Sequence, residues 1–262
     1  MRILILAAVL VALAALPARA AEDDAARAPR WHDLAAAIFQ GRQPDALPGW
    51  IDIDAPARAQ DAALVPITLT LAPDKQIRSL YLLVDENPSP VAAHIVFGPA
   101  AVPRTLTLRV RVDQYTNLHA VAEATDGRLI STVRFIKATG GCSAPGSETP
   151  EIAMQAAGRM KLRLDQRDGA IQAELLIRHP NFNGMQMDQL TRFYTPARYV
   201  NSIDVSYNGQ RVFHLDADIS MASDPAIGFG FKSDGEGTLS VTAVDTANTP
   251  WHRDFPVAPH GT

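Results

Sequence analysis

The chain has a single cysteine, Cys142, among its 262 residues. It follows Gly140 and Gly141 and precedes Ser143 and Ala144, so small residues flank the thiol on both sides. A lone thiol forms no internal disulfide, and exported proteins usually pair their cysteines or avoid them. We therefore expect an accessible thiol on a flexible Gly-Gly arm that is used for chemistry with other molecules. An incidental thiol is the alternative.

The residues around this thiol do not form a recognisable catalytic site. A catalytic thiol needs a base or a helix N-terminus that stabilises its thiolate. The nearest charges in the sequence are Lys137, Glu148 and Glu151, and none of the seven histidines pairs with another histidine or with the cysteine at zinc-site spacing. The chain also lacks a Gly-x-Ser-x-Gly elbow and a phosphate-binding glycine loop. We predict that the protein is not an enzyme and binds no metal.

The N-terminus is typical of a secretory signal peptide. Arg2 is followed by an apolar run over residues 3–15, and Ala18-Arg19-Ala20 fits a small-x-small cleavage site before Ala21. The apolar run is shorter than the ~20 residues that a membrane-spanning helix needs. We therefore expect cleavage near Ala21, a periplasmic protein and no membrane insertion.

The charge balance limits the classes of partner. The chain has 24 Lys and Arg residues against 28 Asp and Glu residues, without a basic block. Nucleic acids and anionic membranes attract clustered positive charge. We therefore expect proteins or small molecules as partners and no nucleic acid.

Two series of strand-like runs predict an all-β fold, and residues 65–71 alternate strictly between apolar and polar positions. The first comprises residues 65–71, 77–84, 92–97, 105–112, 118–124 and 129–136; the second comprises residues 161–164, 171–177, 203–207, 211–215, 226–231 and 238–244. Asp126-Gly127, Asp168-Gly169 and Asn208-Gly209 are hairpin signals between neighbouring strands. Short strands at this spacing favour antiparallel sandwiches. We predict two β-sandwich domains, each large enough to bury its own core.

The remaining segments complete the predicted organisation. A short N-terminal helix is expected over residues 31–40, ended by Gly41. Residues 179–185 are expected to form an ordinary surface turn, with a contact surface as the alternative. The predicted boundaries are a signal peptide at 1–20, an N-terminal helical segment at 21–60, the first sandwich at 61–138, a flexible linker with the cysteine at 139–159 and the second sandwich at 160–257.

These residues resemble SoxYZ, the sulfur-oxidation carrier, with both subunits in one polypeptide. The similarity to SoxY lies in residues 65–67, 77–90, 121–127 and 140–142. The similarity to SoxZ lies in residues 177–180, 199–203, 207–209 and 229–232. Together the matching segments extend over residues 61–256, with the two domains in the expected order around the one cysteine.

The resemblance implies two immunoglobulin-like sandwiches and a swinging arm. Cys142 is then the attachment site for a covalently held sulfur intermediate such as thiosulfate, Gly140 and Gly141 make the arm mobile, and no metal or organic cofactor is bound. The implied partners are periplasmic enzymes of sulfur oxidation, to which the thiol presents its cargo.

The arm departs from the SoxY pattern after the cysteine. In a separate SoxY subunit the arm is the C-terminus, whereas here it continues as Ser143-Ala144-Pro145 into a second domain. A single-chain carrier of this kind is similar to the SoxYZ-like proteins associated with quinoprotein alcohol dehydrogenases. The alternative function is a periplasmic binding or assembly module that docks on a quinoprotein dehydrogenase or cytochrome, with Cys142 incidental.

Overall fold

The structure is a computed structural model that describes residues 16–145, 149–167, 170–188, 191–233 and 235–258. The chain divides into two compact units, residues 1–43 and residues 44–262. The apolar run of the predicted signal peptide and the predicted Asp168-Gly169 turn lie outside the described residues.

The first unit contains one described helix, α1 (Leu16–Ile38). The predicted N-terminal helix is therefore present, but it begins well before residue 31. Its C-terminus follows the prediction, since Gly41 has a φ of 84° and donates its N–H to the carbonyl oxygen of Ala36 at 2.7 Å. Within the described ranges, no helix is long and apolar enough to cross a membrane.

The described residues of the second unit form fourteen strands and one short helix, α2 (Pro150–Gln155). The strands before α2 are β1 (Ile51–Asp54), β2 (Val65–Leu71), β3 (Ile77–Val84), β4 (Val91–Phe97), β5 (Thr105–Val110), β6 (Thr116–Ala124) and β7 (Leu129–Ile136). The strands after α2 are β8 (Met160–Arg167), β9 (Ala170–Ile177), β10 (Val200–Tyr207), β11 (Gln210–Ala217), β12 (Ala226–Phe231), β13 (Gly237–Asp245) and β14 (Pro250–Val257).

The predicted all-β sandwich architecture is confirmed. One sheet has the strand order β1-β2-β5-β12-β9-β8, and the other has the order β14-β13-β10-β11-β4-β3-β6-β7. All pairs between neighbouring strands are antiparallel, for example β3 with β6 and β10 with β13. The Asn208-Gly209 turn joins β10 to β11 with φ angles of 48° and 79°, as a tight hairpin turn requires.

The sequence analysis missed two strands, β1 and β14. Each lies at the edge of its sheet. Strand β1 is only four residues long, and β14 begins with Pro250 and contains Pro256. Proline is confined to positions where the sheet does not need its missing N–H, such as edge strands, so its presence weakens the strand signal in the sequence.

The two halves of the sandwich share both sheets, which the sequence analysis did not foresee. Strand β4 pairs with β11 over five residue pairs, and β5 lies beside β12. The buried apolar residues of the two halves form one continuous core instead of two independent ones. At the β5–β12 contact, a Cβ on Gly228 would lie 2.2 Å from the hydroxyl oxygen of Thr107, so a side chain there would force Thr107 to move.

We expect the two halves to stay together when the chain is divided after Pro145. Separation would expose the edges of β4 and β5 together with apolar residues of the shared core. Exposed strand edges pair with other chains, and exposing apolar surface to water is unfavourable. Co-expressed halves should therefore co-purify as a stable complex, whereas each half expressed alone should aggregate. Size-exclusion chromatography measures this. Two monomeric, cooperatively folding halves would contradict the shared-core description.

Candidate functional site

Cys142 lies in the segment that follows β7, and backbone hydrogen bonds hold this segment in place. The Gly140 N–H donates to the carbonyl oxygen of Asp113 at 2.7 Å, and the Gly141 N–H donates to that of Val112 at 3.0 Å. The accepting residues follow β5, so the Gly-Gly segment lies against the chain at the end of that strand. Both glycines of the predicted arm are thus fixed by hydrogen bonds in this conformation.

The two glycines serve different purposes. Gly140 has a φ of 74°, a left-handed conformation that side chains disfavour, but a Cβ there would meet only the hydroxyl oxygen of Ser143 at 3.9 Å. Gly141 has no room for a side chain, because its Cβ would lie 2.0 Å from the carbonyl oxygen of Ala62 and 2.6 Å from that of Val112. Gly140 therefore shapes the turn, whereas Gly141 permits close packing.

The thiol is covered rather than exposed. Cys142 is only 1% exposed. Its carbonyl oxygen accepts a hydrogen bond of 2.6 Å from the side-chain amide of Asn183, a buried residue of the SoxZ-like half of the chain. The expectation of an accessible thiol on a free arm is therefore wrong for this conformation, in which the arm is docked between the two halves. Small flanking residues are compatible with an exposed thiol, but in this structure they let the segment pack closely and bury the thiol.

Burial also makes the docked thiol a weak nucleophile. The pKa of Cys142 is raised from 9.0 to about 11, chiefly by loss of hydration and also by the nearby carboxylate of Asp113, while the positive charge of Arg111 opposes both effects. A thiolate is the reactive form of cysteine, and a raised pKa reduces its concentration at neutral pH. The docked thiol is therefore protected from the modification that an exposed thiol would undergo.

Arg111 is the main residue of this site that the sequence analysis missed. It is 2% exposed and follows β5 directly. Its guanidinium donates to the carbonyl oxygens of Met221 at 2.6 Å and of Ile219 and Pro180 at 3.4 Å. Burial lowers its pKa to about 10. Among the described residues, no carboxylate lies within ion-pair distance of this cation.

The loop predicted as an ordinary surface turn is instead buried and internally bonded. Asn181 is fully buried, and its side-chain oxygen accepts the N–H of Val200 at 3.0 Å. His179 is also buried, with its Nδ1 2.8 Å from the Asn181 side-chain oxygen. The pKa of His179 is lowered, chiefly by burial. This rigid loop presents Asn183 to the cysteine and the Pro180 carbonyl to Arg111.

In the part of the chain that the structure describes, no group of three or more His, Cys, Asp or Glu side chains is placed to hold a metal ion. The candidate site therefore consists of the Cys142 thiol, the two glycines that dock it, Asn183 and the buried Arg111. Its elements come from both halves of the sandwich.

Comparison with known protein structures gives matches of limited extent. The sulfur carrier protein SoxY from Chlorobium limicola f thiosulfatophilum is 28% identical over 45% of this chain and 98% of its own, with a TM-score of 0.37. A superoxide reductase (neelaredoxin) from Ignicoccus hospitalis is 18% identical over 34% of this chain and 79% of its own, with a TM-score of 0.29. Both TM-scores are too low to support an argument about this chain. No curated protein matches it by sequence.

Two family models match the sequence, one in each half of the sandwich. The model described as "Sulfur oxidation protein SoxY" matches residues 35–142 and ends at the cysteine. The model described as "Sulphur oxidation protein SoxZ" matches residues 160–255. The two matches are consecutive, do not overlap and together cover most of the chain. The chain therefore belongs to the sulfur-oxidation proteins SoxY and SoxZ, as a fusion of a SoxY domain and a SoxZ domain in one polypeptide.

Proposed function

We propose that this protein carries a sulfur-containing intermediate covalently on Cys142 and presents it to partner enzymes of sulfur oxidation in the periplasm. The observation that carries the proposal is the position of the thiol. It lies at the end of the SoxY match, on a segment docked between the two halves by a small number of hydrogen bonds. A thiol in this position is protected while the arm is docked, and breaking a few hydrogen bonds releases the arm.

The energy of docking is compatible with an arm that moves. The described hydrogen bonds from Gly140, Gly141 and Asn183 contribute about 0.5–1.5 kcal/mol each, so breaking all three costs a few kcal/mol. A state with the arm undocked, lying that far above the docked state in free energy, is populated as a minority. A partner can bind this minority state selectively. Once released, a cysteine six residues beyond β7 reaches up to roughly 20 Å from the end of that strand.

Loading requires a new sulfur–sulfur bond. When the Cys142 thiol joins the outer sulfur of thiosulfate, Cys–SH and S₂O₃²⁻ give Cys–S–S–SO₃⁻, one proton and two electrons. The electrons must pass to an acceptor on a partner, for which a haem protein is a suitable class. The raised pKa of the docked thiol supports this division of labour, because a docked thiol stays protonated at neutral pH and reacts only after the arm has undocked toward a partner.

The proposed location and partners follow from the same reading. Export to the periplasm rests on the signal-peptide pattern and cleavage near Ala21. The first class of partner is an enzyme of sulfur oxidation. A quinoprotein dehydrogenase or its cytochrome is the second class, because the single-chain form is similar to carriers associated with such enzymes.

Intact-mass measurement of the protein purified from its native periplasm tests this function. We expect a mass that corresponds to cleavage near Ala21, plus an adduct of sulfur or of thiosulfate that disappears on reduction. The Cys142→Ala variant should carry no adduct. A wild-type protein that always shows a clean thiol or a simple disulfide dimer would contradict the carrier function and favour the binding module. A retained Met1 in the membrane fraction would contradict the proposed location.

A further inference from the structure

The docked arm borders a cavity of about 310 Å³ that contains a buried cation. Its walls include Arg111 on one side and Ala144 and Pro145, two and three residues after the cysteine, on another. Residues shortly after Cys142 thus line the same cavity as Arg111.

Arg111 is the charge in this cavity without a carboxylate partner among the described residues. The second cation, Arg178, is ion-paired with Asp224, which also accepts the N–H of His179. The other acid in the wall, Asp61, is exposed, and its carboxylate accepts the Ala63 N–H at 2.8 Å. Carbonyl oxygens accept hydrogen bonds from the Arg111 guanidinium, but they do not neutralise its positive charge. Burying a charge without an opposite charge beside it is costly.

We propose that Arg111 binds the terminal oxyanion of a sulfonate-bearing cargo on Cys142 when the arm is docked. The proposal rests on the proposed carrier function and assigns to Arg111 the binding of the anionic end of the cargo. A planar guanidinium presents several donors that match the oxygens of an oxyanion. A thiosulfonate on Cys142 adds two sulfur–sulfur bonds, about 3 Å of reach, beyond a thiol that already lies close enough to Arg111 for its charge to act on it. Docking then stores the loaded arm with its charge neutralised.

Chemically installed adducts test this inference in the wild-type protein. Tetrathionate converts the thiolate to Cys–S–S–SO₃⁻ and releases thiosulfate, whereas methyl methanethiosulfonate gives the neutral Cys–S–S–CH₃ and sulfinate. Release of each adduct by a small phosphine is compared between folded protein and protein unfolded in urea. We expect folding to slow the release of the anionic adduct about tenfold more than that of the neutral one, as a hydrogen-bonded ion pair provides. Equal protection of the two adducts would overturn the proposal.

Substitution identifies the residue responsible. In Arg111→Met, the additional protection of the anionic adduct should disappear while the neutral adduct keeps its wild-type protection. Arg109→Met is the matched control, since Arg109 lies on β5 two residues before Arg111, outside the cavity wall, and should behave as wild type. Retained anion protection in Arg111→Met would refute the assignment. If Arg111→Met does not fold, the comparison of the two adducts in the wild type still tests whether folding protects the anionic adduct more than the neutral one.

The two proposals fail in different ways. Absence of a native adduct on Cys142 contradicts the carrier function, but it leaves the comparison of installed adducts unaffected. Equal protection of installed adducts contradicts the role of Arg111 even if the native protein carries sulfur.

Discussion

The Gly141→Ala variant should react with a small thiol reagent about 10- to 100-fold faster than the wild type at neutral pH. The new Cβ would lie 2.0 Å from the Ala62 carbonyl oxygen, and that oxygen already accepts the Val112 N–H at 2.8 Å. Neither the Ala62 carbonyl group nor the Val112 N–H group can move without breaking the hydrogen bond between them. Overpacking of this kind costs roughly 1–3 kcal/mol, which is comparable to the energy that docks the arm. Stopped-flow measurement of thiol modification gives the rate.

Two further variants separate packing from conformation at the same segment. Ser143→Ala removes an exposed side chain and should leave the rate near the wild-type value. Gly140→Ala has room for its methyl group but disfavours the φ of 74°, so its rate should rise by less than that of Gly141→Ala. A Gly141→Ala rate equal to the wild-type rate would mean that the thiol reacts without leaving its docked position.

The pH dependence of the same reaction should show that deprotonation of Cys142 weakens docking of the arm about 100-fold. The docked thiol has a pKa of about 11, against 9.0 for an exposed one. Since the docked form keeps its proton longer, docking is strongest below pH 9.0 and weakens as the pH rises toward 11. The reaction rate of native protein should therefore rise about tenfold per pH unit up to about pH 11, whereas that of unfolded protein should level off near pH 9.

The Gly141→Ala variant provides the control for this titration, because an undocked arm should show the profile of the unfolded chain. The ultraviolet absorbance of the thiolate gives an independent midpoint for each protein. A native profile that levels off near pH 9 would contradict the burial of Cys142, and with it the docked conformation.

Much of the fold was predictable because its determinants are local. Twelve of the fourteen described strands follow from short strand-like apolar runs in the sequence, which alternate strictly where only one face is buried, as in β2. Asn208-Gly209 determines its hairpin by the positive φ angles that these two residues tolerate. The edge strands β1 and β14 escaped prediction because an edge strand needs little burial and accepts proline.

The sequence by itself identified Cys142 and its two glycines, whereas the tertiary structure alone decided their environment. Alternation over residues 105–112 would place Arg111 on the solvent face between Val110 and Val112, yet all three are buried. The SoxZ domain covers the face on which Arg111 lies and supplies the carbonyl oxygens that bind it. In the same way, Asn183 caps an arm that small residues alone would leave free. Alternation records which face of a strand one domain buries, and it contains no information about a face that a distant segment covers.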